Sequence, residues 1–221
     1  EWNSEAELAA DGEVEGRQGK ALDCWAGRGA AEGEPLKRTG VDMRVEARIP
    51  VPEKKIPVQA HAHQANDILD AMRIAKEFDI DMTLEHCTEG HLIVDEMVKA
   101  GFPCAVGPSF GHASKVELQN KTWETPGILA AAGCQVSIIT DAPVTPQQYL
   151  PICAGFAVKA GMDPYEALKA ITINPAKHLG VADRVGSLEV GKDGDVVVYD
   201  GSPFEISSQL KLVVINGERI K

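Results

Sequence analysis

The chain has no apolar run of about 18 residues, the length a membrane-spanning helix needs, and its start shows no basic-then-apolar pattern of a secretory signal. These absences predict a cytoplasmic protein without a membrane partner. It also has no basic patch, and its net charge is -11. Nucleic acids are polyanions that recruit stripes of Lys and Arg, so a nucleic-acid partner is excluded. Cys24, Cys87, Cys104, Cys134 and Cys153 include no Cys-x-x-C pair, which argues against a disulfide framework and a zinc knuckle. No phosphate-binding glycine loop or nucleophile elbow is present. No histidine precedes residue 56.

What is present is an ordinary globular composition, 44% hydrophobic and 25% charged. From residue 56 the periodicity alternates between short apolar runs and amphipathic stretches. Strands are predicted over 56–60, 82–85, 103–107 and 135–140. Between them lie helices over 66–78, 89–100 and 127–132, with Gly101 placed to cap the second. Two more helices are expected over 146–160 and 164–179, the latter interrupted near Asn174-Pro175. Such alternation requires parallel crossovers, and so the α/β class. A closed barrel takes about 250 residues, and the segment from Ile56 to Leu179 is roughly half of that. The expected architecture is therefore a partial TIM-type (β/α) barrel of about four βα units. After it, two strand-like runs and the Asn216-Gly217 turn signal predict a small C-terminal β appendix. The expected division is an irregular, glycine-rich leader over 1–48, the half-barrel over 49–182 and the β segment over 183–221.

Three residues stand at predicted strand ends: His61 after the first, His86 after the second and Asp141 after the fourth. Barrels of this kind expose their catalytic residues there. Each residue alone reads as a hydrogen-bonded structural side chain or a helix N-cap. Together, two imidazoles and a carboxylate at barrel spacing are the ligand types that hold a catalytic zinc with one position open. His112, in the long loop after the third strand, reads either as a surface residue or as a substrate contact. Cys87, by alternation, is a small core residue. Glu85 is read as facing away from His86, and His91 as lying in a solvated first turn. His178 falls near a helix C-terminus, where its charge is favourable.

The run Ile56–Ile68, the segment Leu84-Glu85-His86-Cys87-Thr88-Glu89-Gly90, the stretch Ile139–Val144, the helix Glu166–Ala176 and the loop Gly186–Asp195 resemble the C-terminal half of the amidohydrolase superfamily. The imidazolonepropionase-like and prolidase-like branch is the nearest in pattern. The resemblance implies a distorted barrel with one or two divalent metals, usually zinc. It implies hydrolysis of C–N bonds in amides, cyclic amides or dipeptides by a metal-activated water. By position, His61 and His86 resemble metal ligands. Asp141 resembles the carboxylate that both binds metal and shuttles the proton, and His63 and Gln64 fall near the substrate.

The departures from the family are equally specific. Its His-x-His pair after the first barrel strand has no counterpart, and the chain's own pair, His61-Ala62-His63, sits at the fifth-strand position. Lys54 and Lys55 are poorly placed to serve as the family's bridging lysine. The chain therefore reads as a truncated amidohydrolase that acts on a small amide or peptide, or as an inactive fragment that folds without metal chemistry. An open half-barrel leaves unpaired strand edges, and a homo-oligomer is expected.

Overall fold

The computed structural model describes residues 43–111 and 113–221. Most of the expected leader, residues 1–42, and the expected substrate contact of His112 lie outside the described residues. Met43–Glu46 is a single helical turn. From Ala47 to Lys221 the chain is one compact unit. In it, β1 (Val58–Ala62), α1 (Ala65–Glu77), β2 (Met82–His86), α2 (Val94–Ala100), β3 (Cys104–Val106), α3 (Thr125–Ala131) and β4 (Val136–Ile138) alternate as the periodicity predicts. Helices α4 (Leu150–Lys159), α5 (Pro164–Ala170) and α6 (Ile173–His178) follow, and then β5 (Val196–Tyr199), β6 (Leu210–Ile215) and β7 (Glu218–Arg219).

Strands β1 to β4 lie side by side in chain order, all parallel. They form the arc of a (β/α) barrel. Strands β5, β6 and β7 make a separate antiparallel sheet. Its hairpin turns at Asn216 and Gly217, with φ of 51° and 80°. Two consecutive positive φ angles are what a tight hairpin between right-twisted strands requires, and Asn-Gly supplies them at least cost. No helix among the described residues is long and apolar enough to cross a membrane.

The helices pack because their apolar positions fall on one face. Ile68, Met72 and Ala75 of α1 are buried, at the spacing of a single helical stripe. They meet Leu84, Cys87, Cys104 and Val136 from the sheet and Met97 and Leu129 from α2 and α3. Each fully buried aliphatic side chain in this layer, such as Ile68 or Leu84, contributes about 1.5–3 kcal/mol. A second cluster joins Ile138 of β4 to Cys153, Ala154 and Ala157 of α4 and Ala167 and Ala170 of α5. Small residues at this contact let the two helices approach closely.

Two helices differ from the sequence expectation. Instead of one helix from Glu89, a 3₁₀ turn at Gly90–Leu92 precedes α2, and Ile93 leaves the helical region with φ −133°. The segment is pinned before the helix begins: Glu89 N–H donates to the His63 carbonyl and Gly90 N–H to the Cys87 carbonyl, both at 2.9 Å. The break expected at Asn174-Pro175 comes earlier, where Thr172 adopts φ −131°. Asn174 and Pro175 fall in the first turn of α6, where a missing N–H costs nothing.

The opposite face of the sheet carries polar side chains. The parallel register aligns His61 with Glu85, Glu85 with Ala105, and Ala105 with Ser137. Residues paired in this way point to the same face, so these four form one inward row. Helix α6 lies against it. Asn174 Nδ2 donates to the Val136 carbonyl at 2.8 Å. That carbonyl points to the outer edge of β4, because Gln135 and Ile139 supply the bonds to β3. One helical turn later, His178 Nε2 meets Glu85 Oε1 at 2.9 Å. Burial by itself raises the Glu85 pKa; hydrogen bonds from His178 and Thr83 and the nearby imidazoles outweigh it and hold the carboxyl below its usual range. Glu85 thus has a structural role, as expected, but it shares its face with His61. His178 ends α6, the helix C-terminus expected for it, and is buried there with its Nε2 hydrogen-bonded to Glu85.

Candidate metal centre

His61 is the fourth residue of β1, His63 follows that strand, and His86 ends β2. Their ring centroids are 4.8 Å (His61–His63), 4.2 Å (His61–His86) and 4.6 Å (His63–His86) apart. One nitrogen from each lies within 4.8 Å of the other two. His61 is exposed, whereas His63 and His86 are 7% and 6% exposed. The cluster is a shallow site with two buried walls and one open side.

Alternation along β2 would turn His86 towards the helices, because Glu85 already shares the face of His61. The backbone resolves this conflict. His86 and Cys87 have φ of 75° and 44°, a left-handed kink that non-glycine residues adopt at a cost of about 1–3 kcal/mol each. The kink swings the His86 ring to its partners and drops Cys87 into the core, where it is fully buried as expected. His86 Nδ1 donates to the Gly107 carbonyl at 2.7 Å. A carbonyl only accepts, so Nδ1 carries a proton, which leaves Nε2 as the nitrogen that can offer a lone pair to a metal.

His63 is held just as firmly. Its Nδ1 meets Thr88 Oγ1 at 2.7 Å, and its carbonyl accepts from Glu89 N–H. Burial, followed by the neighbouring His86 and His61, pushes its pKa down to about 4, while Glu117 pulls the other way. His63 is therefore neutral at ordinary pH, the form that binds metal. The sign of the pH effect follows. Between about pH 6.5 and 4 the unfolded chain takes a proton at this position that the folded chain refuses, so stability falls as pH drops through that window. In chelator-treated protein, urea midpoints should fall from pH 7.5 to pH 4.5, and fall less in His63→Gln. Equal slopes in the two proteins would refute this assignment.

Asp141 stands outside the imidazole group. It follows β4, is exposed, and has φ 50°, with its carbonyl closing a turn to Val144 N–H at 2.8 Å. Gln64 is half-buried at the N-cap of α1, where its carbonyl accepts from Ile68 N–H. His91, expected in solvent, is half-buried and bonds Thr125 Oγ1 at 2.9 Å. Four residues that position the site escaped the sequence reading. Thr88 and Gly107 orient the rings, Glu89 ties His63 to α1 by accepting from Ala65 N–H at 2.8 Å, and Glu117 Oε1 lies 4.0 Å from His63 Nε2. Gly107, closing a predicted strand, was the one with a visible signal. A groove of about 750 Å³ between α5, α6 and β5 contains none of these residues.

Three imidazoles with converging nitrogens, His63 held neutral and His86 oriented through Nδ1, are a donor set that fits a divalent cation. The amidohydrolase family pattern matches residues 51–220. The chain belongs to the amidohydrolase family. Amidohydrolase tasK of Hapsidospora irregularis is 26% identical over 180 residues, covering 80% of this chain and 18% of that protein. An imidazolonepropionase of Maricaulis maris is 31% identical over 153 residues, 66% of this chain and 36% of that one. Among solved structures, an amidohydrolase from Thermotoga maritima superposes with a TM-score of 0.82 at 36% identity, over 95% of this chain and 55% of that one. The chain thus spans about half the length of this solved relative, and less of the two curated ones. Amidohydrolases are typically metal-dependent hydrolases.

Proposed function

We propose that this amidohydrolase chain hydrolyses C–N bonds of small amides, cyclic amides or dipeptides, with zinc held by His61, His63 and His86. The convergence of three imidazole nitrogens at the carboxyl ends of parallel strands carries this reading. A divalent cation held there would polarise a carbonyl and acidify a water towards a pKa of about 7. The protein's own groups do the rest. His63 and His86, buried and hydrogen-bonded through Nδ1, keep fixed orientations. His61, exposed on the open side, leaves room for a substrate carbonyl. Asp141, beyond the end of β4, would take the proton from the attacking water and deliver it to the leaving nitrogen. In support, it lies beyond the carboxyl end of β4, the same end of the parallel sheet at which His86 closes β2.

The test combines metal content with turnover. Purified chain, loaded with zinc and dialysed, should retain about one ion by mass spectrometry and hydrolyse members of an amide, cyclic-amide and dipeptide panel. Asp141→Asn should keep the ion and lose on the order of 10²–10⁴ in turnover, the usual contribution of a general base. A chain that takes up no metal, or an Asp141→Asn enzyme as fast as the parent, would overturn the assignment.

A further inference from the structure

The imidazole group is short of one donor class. His61, His63 and His86 supply only imidazole nitrogens, and among the described residues no carboxylate belongs to their mutually close set. A divalent cation among three neutral ligands keeps its full charge, which a nearby carboxylate would offset. The loop between β3 and α3 brings one in. Glu117 sits in a 3₁₀ turn, Val116–Leu118, with Oε1 4.0 Å from His63 Nε2. That is the nitrogen left over once Nδ1 is engaged by Thr88, so the carboxylate approaches the side of the ring where a cation would bind.

The loop is fastened in this position. Asn120 Nδ2 donates to Glu89 Oε1 at 2.7 Å, and Glu89 is the residue that also holds the backbone of His63 and the start of α1. Lys121 Nζ donates to the Phe110 carbonyl at 3.2 Å. Phe110 and Trp123, near the two ends of the loop, pack edge to face at 4.9 Å, and Trp123 stacks on Phe156 of α4 at 4.8 Å. Glu117 itself is about one-third exposed, and Lys115 Nζ lies 3.3 Å from the same oxygen. An exposed ion pair of this kind contributes little and is readily exchanged. Donor atoms sharing a tetrahedral shell lie about 3.4 Å apart, so a small side-chain movement suffices.

We propose that Glu117 is the carboxylate ligand of this centre, moving from Lys115 to a divalent cation held by His61, His63 and His86. This rests on the metal reading of the imidazole group and adds a residue from a different loop. The experiment measures zinc affinity of the full chain by competition with a chromophoric chelator, and the visible absorption of the cobalt-loaded protein. Glu117→Gln should weaken zinc at least about 10-fold and alter the cobalt bands, with far-ultraviolet circular dichroism unchanged. Glu117→His, which restores a donor without the negative charge, should recover part of the affinity lost in Glu117→Gln and fall between it and the parent. Parent-like affinity and spectrum in Glu117→Gln would overturn this inference and leave the imidazole site standing. Equal weakening in both variants would also overturn it, because a remote charge effect would then explain the loss. A parent chain that binds neither ion would overturn both readings.

Discussion

Replacing His86 by alanine should abolish stoichiometric metal retention, the largest functional effect expected of any single side chain here. Of the three imidazoles, His86 is buried, has its Nδ1 proton assigned by the Gly107 carbonyl and lies centrally, within 4.2 Å and 4.6 Å of the other two ring centroids. Its loss leaves two rings on one short segment, His61 and His63, which cannot enclose an ion from opposite sides. If a tightly held zinc is worth about 10–16 kcal/mol, one nitrogen of three or four carries about 3–4 kcal/mol, or on the order of 10²–10³ in affinity. The fold should survive, since the left-handed backbone at residue 86 is set by its neighbours and the small side chain leaves the helix-facing core intact. Dialysed His86→Ala should therefore be metal-free by mass spectrometry while showing the parent's circular dichroism. Retention of one ion per chain would place the metal elsewhere.

How much of this was legible in the sequence depended on whether the signal was local. The four βα units, the Gly101 cap and the Asn216-Gly217 hairpin are short-range patterns, and the structure follows them. His61 and His86 were visible because strand ends in a (β/α) arc are predictable positions. The geometry that unites them was not. Period-two alternation assigns Glu85 and His86 to opposite faces, and nothing in Leu-Glu-His-Cys announces two successive left-handed residues. The imidazoles meet because the backbone departs from the pattern on which the sequence reading relied. Glu117 was hidden for a different reason: its approach to His63 depends on a loop fastened by contacts distant in sequence, Asn120 to Glu89 and Phe110 to Trp123. Asn174 and His178 are spaced one turn apart in plain view, yet their partners Val136 and Glu85 belong to strands whose placement only the folded sheet reveals.

That dependence of the site on backbone departures makes Gly107 the residue whose substitution should damage both fold and chemistry. Its φ of 136° is one that side-chain-bearing residues rarely adopt, and a Cβ there would come within 2.2 Å of the Ile139 carbonyl oxygen. The residue that carries this oxygen is tied to β3, its N–H bonded to the Val106 carbonyl at 3.0 Å at the end of β4. Gly107→Ala must therefore pry β3 from β4 or rotate the peptide at 107. Either movement displaces the carbonyl that orients His86. Strain and clash together should cost about 3–5 kcal/mol in urea unfolding of metal-free protein. The folded fraction should also bind zinc more weakly, since the His86 ring loses its acceptor. Gly101→Ala is the matching control: it too has a positive φ, 74°, but nothing lies within 4 Å of its Cβ, so it should lose only about 1 kcal/mol and keep its metal affinity. If both variants were destabilised alike, conformational strain alone would account for Gly107, and the close contact with Ile139 would carry no weight in holding the site.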